Sequence, residues 1–101
     1  MTVMVEMDVA TLESLGREAV EQVAGPDVVE AVEVAAGEDV SSRPTYQFAF
    51  LIDHGRARQR AGLLRIRLMQ ALRDRLIQRG DAHYPVIQIL DRADWDKRRR
   101  A

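Results

Sequence analysis

Residues 56–79 form the longest stretch of the chain in which apolar residues return every three or four positions. This spacing is typical of one helix face and predicts a helix of about 24 residues. Gly62 lowers helix propensity near the start, which would move the start towards Leu63. Gly80 supplies the stop, because glycine readily adopts the left-handed conformation that ends helices. The predicted core face consists of Ala57, Ala61, Leu64, Leu68, Leu72 and Leu76.

A second, thinner apolar stripe lies nearly opposite this core face. A helix that forms the outer layer over a sheet needs only one apolar face, so the second stripe should contact something else. The first helix of the same chain is the simpler cover, and the same helix of a second copy is the alternative. In the second arrangement, the predicted dimer seam consists of Leu63, Ile66, Gln70, Arg73 and Ile77.

Length and composition limit the class of protein. A chain of 101 residues fits one domain, predicted over residues 1–96, and the basic residues 97–101 are predicted to be a disordered tail. The absence of cysteine excludes disulfides and cysteine-ligated zinc. The longest segments without a charged residue, 44–52 and 82–90, are too short to span a membrane. A cytoplasmic protein is therefore expected.

The net charge of −1 conceals an uneven distribution along the chain. Residues 1–53 carry two basic and eleven acidic side chains, which gives −9. Residues 54–101 carry thirteen basic and five acidic side chains, which gives +8. Such an asymmetry indicates either nucleic-acid contact by the basic half or attraction between the two halves, within a monomer or across a dimer.

The first half of the chain contains three further patterned segments. Residues 2–7 alternate weakly and predict a short strand. Residues 12–23 have helical spacing, with Asp8 or Thr11 as the candidate N-cap. Residues 28–36 fit a helix or a strand, and their four valines favour a strand because branched side chains suit a pleated surface.

The clearest strand begins at Pro44, and a further strand is predicted over residues 84–90. A final short turn, capped by Asp91 or Asp94, should bring Trp95 back onto the core. Alternation from Pro44 onwards places both phenylalanines on one face, which predicts the centre of the core at Tyr46, Phe48, Phe50 and Ile52.

The predicted element order is (β)αββαβ, an α+β fold. With the first strand present, this order corresponds to a ferredoxin-like βαββαβ sandwich with both helices on one face of the sheet. Without it, the order αββαβ describes a three-stranded, KH-type-II-like module. The four-stranded form is the favoured prediction.

No sequence motif predicts catalysis, a cofactor or a metal site. The chain lacks a Walker loop, a Rossmann glycine fingerprint, an HExxH motif and a nucleophile elbow. The adjacent pair Asp53 and His54 and the pair Asp81 and His83 are interpreted as turn residues. The aspartates at 91, 94 and 96 lack the glycine and terminal glutamate of a calcium loop. A non-catalytic protein is predicted.

Asp8 has two candidate roles. The opening sequence VMVEMD resembles the first strand of the Cas2/VapD-like ferredoxin-fold nucleases, over about eight residues. In that family, a strand-end aspartate from each subunit binds a divalent metal. The resemblance thus implies a metal-dependent nuclease centred on Asp8. The other role, capping the first helix, requires only the carboxylate oxygen.

Arginine side chains suggest a nucleic-acid-binding module as an alternative function. Their guanidinium groups would neutralise phosphates and give salt-dependent affinity. A GxxG loop of the KH type is absent, and the aromatic residues of the central strand are expected to be buried. The candidate phosphate-binding residues are Arg56, Arg58, Arg60, Arg67, Arg98, Arg99 and Arg100.

The favoured functional prediction is a small non-catalytic cytoplasmic protein that acts through protein–protein interaction as a homodimer. The second apolar stripe and the division of charge support it. A partner protein is the other expected kind of partner, and no membrane association is expected.

Overall fold

The computed structural model describes residues 7–56 and 61–100, which form three helices and one three-stranded sheet. This arrangement confirms the predicted α+β class. The strands predicted over 28–36, 44–52 and 84–90 are present, as are both predicted helices, with shifted ends. The elements in chain order are α1 (Val9–Ala24), β1 (Val29–Glu38), β2 (Pro44–Ile52), α2 (Ala61–Gln78), β3 (Tyr84–Leu90) and α3 (Arg92–Arg100).

The strands lie in the order β1-β2-β3. β1 and β2 form an antiparallel hairpin, whereas β2 and β3 pair in parallel and are connected by α2. The described residues thus follow the three-stranded αββαβ alternative. The ferredoxin-like form would place a strand between β2 and β3, and this is not the order of the described sheet. The strand predicted over 2–7 lies outside the described residues except for Met7, which is not in a strand.

α1 and α2 cover the same face of the sheet, which we call the inner face. The predicted aromatic row on β2 lies there and is fully buried, and four leucines of α2 pack against it. Ala57 lies outside the described residues. α1 comes close to the sheet at Gly16, where an added Cβ atom would lie 3.2 Å from Phe50 Cε1 and 3.3 Å from Phe48 Cδ1.

α3 covers part of the opposite, outer face. Asp91 caps this helix, since its Oδ1 atom accepts a hydrogen bond from Asp94 N at 2.8 Å. Trp95 packs on Ala49, Leu51 and Leu90 in a second, smaller core. This confirms the predicted return of Trp95. The sequence predicted a disordered tail from residue 97, whereas α3 continues as a helix to Arg100.

α2 begins later than the 56–79 prediction. Arg56 lies in a turn, and its backbone N–H donates to Asp53 O at 3.1 Å. Residues 57–60 lie outside the described part of the chain. At the other end, Gly80 has a φ of 73°, as the predicted helix stop requires.

The position of Gly62 yields a stability prediction. A Cβ atom at Gly62 would meet nothing within 4 Å, so Gly62→Ala should raise the free energy of unfolding by about 0.5–1 kcal/mol through helix propensity. Urea denaturation measures this change. In Gly16→Ala, the matched control, crowding against the phenylalanines should offset the same gain. A destabilised Gly62→Ala protein would contradict this account of the start of α2.

Candidate functional site

The predicted dimer seam lies on one side of α2. At 100° per residue, its five residues occupy a single stripe directed away from the buried leucines of the same helix. Leu63, Ile66 and Ile77 are 42%, 59% and 61% exposed, and Gln70 and Arg73 are exposed between them. Large aliphatic side chains that share one exposed side of a helix make this stripe a candidate interaction surface.

α1 contacts another side of α2. Arg75 of α2 reaches α1, where its guanidinium donates to Glu18 Oε2 at 3.3 Å and to Gln22 Oε1 at 2.6 Å. The exposed stripe faces away from these contacts. The sequence-based alternative, in which the first helix covers this stripe, is therefore wrong. α1 packs on the sheet beside α2 and leaves the stripe exposed.

Charged residues flank the stripe. Arg67 and Asp74, seven positions apart, lie on the same flank and are both exposed. Arg73 lies towards the other flank, where its guanidinium carbon is 5.7 Å from the centroid of the Tyr84 ring on β3. Asp74 is the single acidic residue of α2, so a partner surface with both charge signs would fit this side of the helix.

A second candidate site is a buried polar cluster formed by Tyr46, Asp81 and His83. After α2, the backbone N–H of Asp81 donates to Leu76 O at 3.0 Å, and this turn directs the carboxylate inwards. Tyr46 Oη donates to Asp81 Oδ2 at 2.6 Å. His83 N donates to Asp81 Oδ1 at 2.9 Å, and His83 Nδ1 lies 2.5 Å from the same oxygen. The Tyr46 and His83 rings stack with centroids 3.9 Å apart.

The protonation of the cluster follows from its hydrogen bonds. Burial by itself raises the pKa of Asp81, but the hydrogen bonds from Tyr46 and His83 outweigh it and leave the pKa below its usual value. The carboxylate is therefore ionised at neutral pH and accepts a hydrogen bond from the Nδ1–H group of His83. Tyr46 Oη in turn accepts a hydrogen bond from Met7 N at 3.1 Å, which connects the cluster to the start of α1.

The cluster holds the His83 imidazole in one orientation, but a substrate would have little access to it. A carboxylate that holds His Nδ1 leaves Nε2 as the basic atom, as in general-base catalysis. A general base must also reach a substrate proton, and His83 is only 7% exposed. The described residues contain no group of three or more side chains suited to a metal ion. The contacts thus favour a structural role, in which the cluster joins β2, β3 and the start of α1.

Asp8 caps α1. Its Oδ1 atom accepts a hydrogen bond from Thr11 N at 2.7 Å, and this bond lowers the pKa of the carboxyl. The capping role predicted for Asp8 is confirmed. The same oxygen is thereby engaged in the cap, and Asp8 belongs to no group of three or more potential metal ligands among the described residues.

The predicted phosphate-binding arginines that the structure describes do not form one surface. Arg58 and Arg60 lie outside the described residues, and Arg56 pairs with Asp53 at 3.4 Å. Arg67 is exposed on α2, in the layer opposite to α3. The remaining members, Arg98, Arg99 and Arg100, lie on α3, where Arg98 and Arg99 pair with Glu33 of β1.

Ion pairs connect basic residues of the second half of the chain with acidic residues of the first half. Arg75 of α2 pairs with Glu18 of α1. Two residues of α3 pair with β1, Arg92 with Glu30 at 3.6 Å and Arg98 with Glu33, in addition to Arg99. In each pair, a base from the second half of the chain contacts an acid from the first half. Attraction between the halves within one chain is therefore observed, although exposed pairs such as these stabilise by about 1 kcal/mol or less each.

The sequence pattern does not predict the buried cluster. It predicts Asp81 and His83 as turn residues, and they lie in the connection after α2, but the contact of Asp81 with Tyr46 spans 35 positions. Local spacing carries no information about such a contact. The available signal was a tyrosine on an otherwise apolar strand face, since a buried hydroxyl usually needs a hydrogen-bond partner.

Comparisons with family models, curated proteins and solved structures found no match for this chain. Among the described residues, no helix combines the length and the hydropathy that crossing a bilayer requires.

Proposed function

We propose that this chain is a small non-catalytic protein that acts through protein–protein contact as a homodimer, with α2 at the interface. The observation that carries the proposal is the exposed stripe of Leu63, Ile66 and Ile77. Placing these side chains against a second copy removes apolar surface from water, at about 25 cal/mol per Å². The cytoplasmic location expected from the sequence stays a prediction.

The stripe suits a second copy because its ends match. In an antiparallel pair of α2 helices with the two-fold axis near Gln70, Leu63 of one copy faces Ile77 of the other, since each lies seven positions from Gln70. A two-fold interface uses the same surface twice, so every such contact occurs in duplicate.

The flanking charges agree with the same axis. Arg67 and Asp74 lie on one flank and nearly equidistant from Gln70, so an antiparallel pair brings Arg67 of each copy beside Asp74 of the other. Opposite charges that meet across an interface fix its register. In a parallel two-fold pair, Arg67 of one copy would instead face the opposite flank of the other copy, towards which Arg73 lies.

The first test replaces the aliphatic residues of the stripe. Ile66→Glu together with Ile77→Glu should convert a species of about twice the 11.4 kDa chain mass into folded monomers. Buried, unpaired carboxylates are costly, whereas both positions are exposed in the monomer. Light scattering over a dilution series gives the mass, and circular dichroism checks the fold. Val40→Glu, in the exposed hairpin loop, is the matched control. An unchanged mass of the double variant would reject the interface.

A charge exchange then distinguishes the antiparallel homodimer from other partners. Arg67→Glu alone should weaken the dimer, because it places two acids together, and the double variant Arg67→Glu with Asp74→Arg should restore it. A wild-type monomer at every concentration tested would refute the homodimer. A dimer unaffected by the single change would refute the antiparallel axis.

A further inference from the structure

We propose that the uncovered half of the outer sheet face binds single-stranded nucleic acid, with the bases against Tyr84 and Val86 and the phosphates on the last turn of α3. The surface lies on the outer face of the sheet, whereas α2 covers the inner face. The two meet at Tyr84, whose ring centroid is 5.7 Å from the guanidinium carbon of Arg73 in the α2 stripe. The proposed contacts use none of the five stripe residues.

The sheet register defines the surface. On the outer face, Ala35, Gln47 and Val86 are aligned across the three strands, and Gly37, Thr45 and Tyr84 form the next row. α3 covers the rows beyond them through Trp95. In the two remaining rows, Thr45 is buried, whereas Ala35, Gln47, Tyr84 and Val86 are exposed. Tyr84 and Val86 are each 42% exposed. The β1 residues in these two rows, Ala35 and Gly37, are small and protrude little from this part of the face.

A cleft connects this surface to the cations of α3. It has a volume of about 270 Å³, and Gln47, Val86, Gln88 and Arg98 are among its lining residues. Lys97 and Arg98 also border a second depression beside Gln88. The end of the helix thus brings positive charge directly to the edge of the open rows.

The cationic charge exceeds what the chain itself neutralises there. Residues 97–100 are four consecutive bases in the last turn of α3. Glu33 supplies one negative charge, which Arg98 and Arg99 share, and Asp94 and Asp96 of α3 supply two more. The four bases therefore leave a net charge of +1 at this end of the helix. A chain of phosphates is the complementary partner, because it presents one negative charge per nucleotide at regular spacing.

The aromatic and amide groups favour a nucleic acid over an acidic peptide. A base can stack on the Tyr84 ring, and the Gln47 and Gln88 amides can donate to and accept from base edges. Carboxylates of a peptide would use the cations but would gain little from an aromatic face. The strand must be single, since paired bases do not present their faces to a sheet.

Fluorescence anisotropy tests the proposal with labelled 12-nucleotide oligo-U and oligo-dT, the matched duplex and an oligoglutamate peptide of similar charge. We expect binding to the single strands, weaker binding to the duplex, and a steep loss between about 50 and 200 mM salt. Tyr84→Ala should weaken binding about tenfold or more, and Tyr84→Phe should retain it, because the ring is what stacks.

Charge variants locate the phosphate contacts. Arg100→Gln should reduce the slope of log K against log salt by about one. Arg79→Gln changes an exposed base directly after α2, the helix on the other face of the sheet, and should leave the slope unchanged. Each of four results would overturn the proposal: no binding at low salt, full affinity in Tyr84→Ala, an equal effect of Arg79→Gln, or equal affinity for the acidic peptide.

Discussion

Replacement of Asp81 by alanine is expected to lower the free energy of unfolding by about 3 kcal/mol at neutral pH. The change removes the acceptor of the backbone N–H and of the Nδ1–H group of His83, in a site where that residue is almost fully buried. It also removes the Asp81 oxygen to which Tyr46 donates. Urea denaturation measures the loss. Glu21→Ala, at an exposed position of α1, should change stability by about 0.5 kcal/mol or less. An equal effect of the two changes would contradict a stabilising role for the cluster.

The same carboxylate predicts a pH dependence. Because the folded protein holds the pKa of Asp81 below its unfolded value, the stability from this group is fully present above about pH 4. It is lost as the pH falls through the lower, folded pKa. Asp81→Asn should therefore lose less stability on acidification than the wild type. Asp8 and Asp39 also have lowered pKa values and titrate in both proteins, so the difference between the two curves isolates Asp81.

The sequence predicted most of the fold because its signals are local. The alternation after Pro44 places one face of β2 against the helices, and the leucine spacing orients α2 towards that face. The valines before residue 36 outweighed a competing helical spacing, and β1 confirms that choice. Asp8 and Asp91 both act as caps, a role that depends on residues only three positions away.

Features that depend on distant contacts could not be predicted in the same way. Whether the α2 stripe is covered depends on where α1 packs, and the apolar pattern of α2 alone is the same in both cases. The helical state of residues 97–100 is another example. Four adjacent bases repel one another, yet Glu33 of β1 lies on the same face of the sheet and pairs with two of them. Cations at a helix C-terminus also interact favourably with the helix dipole.

Replacement of Trp95 by alanine is expected to detach α3 and to lower the free energy of unfolding by about 3 kcal/mol. Trp95 is 2% exposed and is the buried residue of a nine-residue helix, which is too short to be stable alone. The other side-chain links of α3 to the sheet are exposed ion pairs, which contribute little. Hydrogen exchange should show fast exchange in α3 and continued protection in β2.

The Trp95 variant also connects stability with the proposed binding surface. Detachment of α3 removes residues 97–100 from the outer face but leaves the Tyr84 ring in place, so nucleic-acid affinity should fall together with the protection of α3. Lys97→Ala, at an exposed position of the same helix, should leave that protection intact and weaken binding only through the loss of one charge. If Trp95→Ala leaves α3 protected, the ion pairs with β1 suffice to hold the helix, and the smaller core is not its anchor.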